Sequence, residues 1–428
     1  MNIIDEGTYG RILETDDDSK VTKESDLYND GYNWQSLKET IILSQYQFLG
    51  IPKIDKVEIA DENIRLTMDY LGANLRQYFE SSYNDENFDP ETTTRFRSID
   101  FIKKLIFEIS KILIYLHGNN IIHNDLKPDN IMITDNEDIY LIDYGSAILT
   151  ETQKSFCEPE YRAPETFWQN KITKASDIWA LGLTCLWVLN NFTLKKCIQP
   201  ITDYSPEFID LKISTYLQDA QMESDFLRFE SGTLEPDLVN LISRMLKFSE
   251  PQRITALEIY YHPLFSGVRG SVKKITIPIF DDIVNPRIDY IQRNSIVNLI
   301  FEICQKYPKS VGLSIWITDK YCSLKNMESG NFKYLAISAV ILASSLYYPE
   351  EIEIDEFKEY FKPLNSRKIK SRIDKMIKDI ISITYGSIHR QTFDRILNLG
   401  INDFQKMSSF CINNSMINKS QKQLANEY

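Results

Sequence analysis

The stretch HNDLKPDN, His123 to Asn130, places a carboxylate, a cation and an amide within a few residues of one another, and DYG follows at Asp143 to Gly145. Moving a phosphoryl group onto a hydroxyl needs these functions. A carboxylate must orient the hydroxyl and accept its proton, a cation must sit beside the transferred group, and oxygen ligands must hold a divalent metal. Asp125 is the candidate base, Lys127 the cation, and Asn130 with Asp143 the metal ligands. Amide and carboxylate oxygens suit a hard ion such as Mg²⁺. An Asp, Lys and Asn in one loop would be weak evidence alone. The second segment at this distance makes the pattern specific, because each segment adjoins a short strand.

Positioning these residues requires a framework, and the periodicity supplies one. From Ile3 to about Tyr70, short β-rich runs (RILET, KVTKE, KVEIA, IRLTMDY) surround one helical stretch, Trp34 to Tyr46, which predicts a small sheet with one helix. From Phe101 onward, apolar residues recur at three- and four-residue steps (Ile102, Leu105, Ile106, Ile109, Ile112), predicting a larger helical lobe that reaches Pro263. The strands NIMIT and IYLID lie within it, joined by the turn DNED. Gly267, Gly270, Pro278 and Pro286, with no helical period between them, predict a linker over 267–289. Helical patterning resumes over 290–400, and a polar tail covers 401–428. Within that last region Phe332, Leu335, Ala336, Ala339, Val340 and Ala343 follow helical spacing, while Tyr334, Ile337 and Ile341 fill the other faces. This predicts a central, enclosed helix.

Together with YRAPE (Tyr161 to Glu165) and SDIWALG (Ser176 to Gly182), the two segments resemble the protein-kinase signature set, in order, over about Ile3 to Phe265. The Tyr-Arg lead-in is similar to the branch containing cyclin-dependent kinases. The resemblance implies a bilobal α+β fold, residues 1–266, with a small lobe over 1–70 and a large lobe over 71–266. It implies ATP and Mg²⁺, with Mn²⁺ as an alternative, and transfer to Ser or Thr of a protein substrate, since Lys127 stands where that class carries Lys. It further implies that Glu165 pairs with Arg253 and that Asp177 ties down the catalytic loop. EGTYGRI resembles the glycine-rich loop, with Gly7 and Gly10 against phosphates and Ile12 over adenine. Lys23 is the nucleotide lysine, with Lys20 its rival, and Glu39 on the helix is its ionic partner. LTMDYLGANL resembles the hinge, with Met68 as gatekeeper and backbone groups of Asp69 and Leu71 bonding adenine.

Three departures bear on function. Asp5 replaces the first glycine of the loop; Asn124 replaces the Arg that usually receives an activation-loop phosphate; Glu158 stands where cyclin-dependent kinases have Thr. They keep a second reading open, that of an inert kinase-like scaffold presenting the C-terminal domain. A kinase for small molecules fits YRAPE less well. SIWITDKYCSLKN with YLAISAVILASSLYYPEE, and FDRIL further on, resembles a cyclin box, so the C-terminal domain is expected to be all-α and cyclin-like. Kinase and cyclin joined in one chain is similar to proteins of large DNA viruses. The resemblance implies an intramolecular kinase–cyclin contact, although Ser345 and Ile377 replace the family's gripping Lys and its acidic partner.

The 428 residues exceed what one core usually organises, and 43% hydrophobic with 25% charged residues is ordinary globular composition. A formal charge of −13 argues against nucleic acid and anionic membranes as partners. Six cysteines without CxxC spacing read as reduced thiols. The acidic opening MNIIDEG lacks a secretory signal, and the most apolar run, Tyr334 to Leu346, falls short of the roughly 20 residues a membrane span needs. The expectation is an intracellular protein of the cytoplasm, or of the nucleus.

Overall fold

The computed structural model describes residues 3–7, 10–28, 33–46, 48–84, 99–149, 159–169, 171–189, 235–267, 286–347, 354–361 and 366–385. Thr150, Thr152 and Ser155, the hydroxyls after DYG that are expected to be open to phosphorylation, lie outside them, as do Glu158, the FDRIL segment, most of the expected linker and the whole tail.

The chain begins with β1 (Ile3–Gly7), β2 (Gly10–Glu14) and β3 (Lys20–Asp26), followed by helix α1 (Trp34–Gln45), β4 (Ile54–Ala60) and β5 (Asn63–Asp69). The strands form one antiparallel sheet in the order β1-β2-β3-β5-β4. In β5 the burial alternates, with Ile64, Leu66 and Met68 turned inward, as a sheet with one covered face requires. Helix α1 starts at Asn33, whose side chain accepts the Ser36 N–H. Its residues Ser36 to Leu43 are all buried. At 3.6 residues per turn, an unbroken buried run of eight means the helix is covered on every side.

The large lobe opens with β6 (Ala73–Asn74) and α2 (Leu75–Asn84), then α3 (Ile99–Gly118), β7 (Ile131–Ile133) and β8 (Ile139–Leu141). Strands β6, β7 and β8 form a second small antiparallel sheet. Helices α4 (Pro164–Gln169), α5 (Lys174–Leu189), α6 (Pro236–Met245) and α7 (Ala256–Tyr260) follow. Ser176 to Leu189 of α5 are buried throughout, so α5 is the axis of this core. Glu165 and Arg253 form a bidentate pair at 2.8 and 2.9 Å inside it. The Arg253 guanidinium also lies 5.1 Å from the Trp179 ring centroid. The sequence pattern placed the first large-lobe helix near Phe101. The structure adds α2 ahead of it, whose apolar signal is little more than Leu75 and Phe79, one turn apart.

The C-terminal region is helical: α8 (Tyr290–Ile303), α9 (Val311–Leu324), α10 (Phe332–Tyr347) and α11 (Ser366–Ile380), which runs into a π turn, Ile381–Tyr385. Helix α10 packs against α8, α9 and α11, and Leu335 to Ala343 are buried without a break, which makes it the enclosed centre. Arg293 of α8 clamps Asp319 of α9 with two bonds of 2.8 and 2.6 Å. Burial raises the Asp319 pKa while Arg293 opposes that shift.

By proximity of their backbones the residues gather into two compact units. One comprises Met1–Gln47, Lys53–Tyr70 and Lys274–Tyr428, and the other Phe48–Pro52 and Leu71–Lys273. The small sheet and α1 therefore belong with the C-terminal helices. Within that unit α10 and the π turn pack on α1, and the π turn also meets β4. Among the described residues no helix is long and apolar enough to cross a membrane.

Candidate active site

The HNDLKPDN segment leaves α3 through a left-handed residue, Asn120, and is fastened at its start by Asp177 in the first turn of α5. One Asp177 oxygen accepts the His123 N–H at 2.9 Å and lies 2.9 Å from His117 Nε2; the other accepts the Asn124 N–H at 2.8 Å. A carboxylate that accepts several N–H groups in a buried setting is a rigid anchor. Asn124 is itself left-handed (φ 67°), and so is Asp143 (φ 64°), a conformation that non-glycine residues hold only under surrounding constraint. The constraint is visible. The Asn124 amide donates to the Ser146 carbonyl at 3.1 Å. The His123 ring bonds the Ile142 carbonyl at 2.9 Å and meets Tyr144 edge-on at 5.0 Å. Because a carbonyl only accepts, Nε2 carries the proton, and Nδ1 accepts the Asp125 N–H at 3.4 Å.

Asp125, Lys127 and Asn130 converge directly. Lys127 Nζ lies 3.1 Å from Asp125 Oδ2, and Asn130 Nδ2 donates to the same oxygen at 2.9 Å and to the Asp125 carbonyl at 2.7 Å. Asp143 joins through the backbone, since the Ile142 N–H donates to the Asn130 carbonyl at 2.9 Å. Burial raises the Asp125 pKa; Lys127 and His123 lower it, and the Asp143 charge adds to the rise. The Asp125 carbonyl can only accept, which orients the Asn130 amide with Nδ2 toward it and leaves Oδ1 as a candidate metal ligand. Among the described residues no three His, Cys, Asp or Glu cluster as a metal cage. Mg²⁺ fits this arrangement nonetheless, because it is usually held by one or two protein oxygens together with substrate phosphates.

A second group of residues lies in the small lobe. Lys23 Nζ bonds both Glu39 oxygens at 2.8 and 2.7 Å, and Glu39 is 5% exposed. Lys20, three residues earlier on β3, instead pairs with Asp55 and Asp69. Burial disfavours the Lys20 cation, but the two carboxylates outweigh that effect and its pKa rises. Ile12 stands directly opposite Lys23 across β2 and β3, so both project from one face. Gly7 and Gly10 pair across the β1–β2 hairpin, whose tip residues Thr8 and Tyr9 lie outside the described residues. Gly10 has φ 146°, and a Cβ there would come within 2.3 Å of the Glu24 carbonyl oxygen. Close approach of β3 thus demands this glycine irrespective of any phosphate. Met68 is buried opposite Val21 and Ile54; Asp69 closes β5, and Leu71 is buried.

One positioning residue carried no sequence signal. Arg76 of α2 holds Asp129 with bonds of 2.7 and 3.0 Å, pinning the turn Pro128–Asn130. A lone Arg at the start of a weakly patterned helix offers no spacing by which to find it.

The protein kinase domain family matches residues 2–265. Serine/threonine-protein kinase 17A of Oryctolagus cuniculus is 29% identical over 38% of this chain and 40% of that protein. Mitogen-activated protein kinase 12 of Mus musculus is 28% identical over 43% of the chain and 55% of that protein. Cell division control protein 2 homolog 3 of Trypanosoma brucei brucei is 25% identical over 62% of the chain and 91% of that protein. The chain thus spans about half the length of the first two relatives and nearly all of the third. It belongs to the protein kinase family.

Proposed function

We propose that the chain transfers the γ-phosphoryl group of ATP to Ser or Thr hydroxyls of protein substrates, and that its C-terminal helical region acts as a cyclin-like activator of the same chain. One observation carries the catalytic reading: Asp125 is held between Lys127 and Asn130, with Asp143 fastened to the same loop. Asp125 would orient the acceptor hydroxyl and take its proton, while Lys127 would lie beside the transferred group. Asn130 and Asp143 would hold Mg²⁺, or Mn²⁺ in its place, and the ion when bound offsets charge on the phosphates. Lys23, fixed by Glu39, would hold the nucleotide phosphates. Ile12, Gly7, Gly10 and Met68, with backbone groups of Asp69 and Leu71, would line the nucleotide site, as the kinase resemblance implies.

Activation in cis is supported by α1. A cyclin works by keeping the helix that bears the paired Glu turned inward. Here the Lys23–Glu39 pair is closed and α10 with the π turn covers α1. Ser345 and Ile377 are both buried, and Ser345 Oγ donates to the Leu342 carbonyl within its own helix, so neither position supplies the polar grip that the cyclin resemblance would lead one to expect. The decisive assay is transfer of labelled phosphate from ATP to generic protein acceptors with Mg²⁺ or Mn²⁺. Transfer by the wild type and none above background by Asp125→Asn supports the reading. Equal background for both would establish the inert scaffold instead.

A further inference from the structure

Helix α11 is the basic exception in an acidic chain. Ser366–Ile380 carries Arg367, Lys368, Lys370, Arg372, Lys375 and Lys378 against Asp374 and Asp379, a net +4. With −13 for the whole chain, the remainder carries −17. The apolar residues Ile369, Ile373, Met376, Ile377 and Ile380 are buried, so the cations occupy the outer arc of the helix. Beside it opens a cleft of about 730 Å³ whose other wall is Tyr28, Ile59 and Glu62 of the small lobe, which belongs to the same compact unit. Lys378 bridges the two walls, 3.9 Å from Glu62 and 5.2 Å from the Tyr28 ring centroid. Three carboxylates also line the cleft: Glu62 faces Lys378, Asp379 is engaged by Tyr321 and Lys325, and Asp374 lies between Lys370 and Lys378 along the helix. Lys370 and Lys375 are exposed at its mouth, and neither makes an ion pair among the described residues.

We infer that this basic face is a docking site for a short acidic segment of a protein substrate, an inference that rests on the kinase reading and names a substrate feature for it. Charge complementarity selects the occupant. An extended polyanion would reach beyond the patch toward the rest of a chain whose remaining residues carry a formal −17, whereas a short peptide need cover only the patch, since screening confines each charge to about 8–10 Å. From Arg367 to Lys378 the helix rises about 16 Å, which an extended peptide spans in roughly five residues. The cleft would take one side chain of that peptide against Tyr28 and Ile59. Because the cleft is walled by both small lobe and α11, a docked substrate would also hold the two together.

The test needs no catalysis, so it fails independently of the kinase reading. Full-length Asp125→Asn protein is titrated into a fluorescein-labelled peptide of six alternating Asp and Glu residues, and anisotropy is read at low and physiological salt. Saturable binding is expected, weakened at least 10-fold by Lys370→Glu with Lys375→Glu, weakened less by the double Ala variant, and weakened by salt. Both side chains are exposed, and an unchanged melting temperature confirms that the variants fold. In the wild type, an acceptor peptide bearing the acidic tail should then show a lower KM than its untailed form at equal kcat. Absence of saturable binding, indifference to the charge reversal, or tighter binding of duplex DNA or of phosphatidylserine vesicles through the same lysines would overturn the inference.

Discussion

Asp125 is held at a cost to the fold, and as the proposed base it would be needed for the chemistry. Burial raises its pKa, so the native state binds a proton more readily than the unfolded chain, and the ionised form is held at a cost once pH exceeds the unfolded value. A base must be ionised, so kcat should fall as pH drops through that raised value, at higher pH than an ordinary Asp would give. Lys127 lowers the pKa, hence Lys127→Ala should move the acid limb of the pH–kcat profile further up as well as slow the reaction. An acid limb that stays put would show that Asp125 is not the titrating group. The same reasoning separates activity from stability. Asp125→Asn removes the buried charge but leaves an oxygen to accept from Asn130 Nδ2, so its melting temperature should match or exceed that of the wild type. Its kcat should fall by about 10²–10⁴, with nucleotide affinity nearly unchanged. Parallel loss of stability and activity would mean that the carboxylate is structural.

Among the elements, the catalytic loop is held by neighbours, chiefly Asp177, whose loss would strand two buried N–H donors. Asp177→Ala should cost about 2–6 kcal/mol, at roughly 1–3 kcal/mol per unsatisfied group, read as a fall in denaturant midpoint at constant m. The segment after DYG is tied down differently. Asn124 bonds the Ser146 carbonyl through a neutral amide, where a cation would instead await a phosphate. Replacing Thr150, Thr152 and Ser155 together by Ala should therefore change kcat less than about 10-fold. A loss of 100-fold, reversed only by an upstream kinase, would show that phosphorylation is needed after all. These contrasts mark what was legible in the sequence. His123 to Asn130 and DYG could be read because their chemistry is contiguous in the chain. Lys23 and Lys20 could not be separated from β-strand spacing alone; Asp55 and Asp69, distant in sequence, claim one of them and Glu39 the other. Helix α2 and Arg76 escaped because a single apolar turn and one Arg carry no period. Gly10 was read for its phosphate role, yet its φ and the nearness of Glu24 would require glycine in any case.

At the scale of the whole molecule, the argument turns on what covers α1. Ser36 to Leu43 are buried on all sides, and the sheet, through β4, can cover only one of them. Helix α10 and the π turn cover another, so a chain ending at residue 270 would expose part of a helix bearing Leu37, Ile41, Ile42 and Leu43. Each large aliphatic side chain returned to water forfeits about 1.5–3 kcal/mol, comparable to the gap between two orientations of a switchable helix. Glu39 would then no longer be held on Lys23, and nucleotide phosphates would lose a fixed cation. The 1–270 protein should accordingly lose most of its transfer activity and bind ATP more weakly. Residues 286–428 supplied in trans should restore part of that activity, but only at high concentration, because a tethered domain already acts at about millimolar effective concentration. Circular dichroism and calorimetry on the truncated protein distinguish a folded kinase with a displaced helix from an unfolded small lobe. Rescue in trans marks the first case, and its absence with a lost thermal transition marks the second. A truncated protein that is folded and fully active would refute activation in cis and leave substrate recruitment as the work of the C-terminal helices.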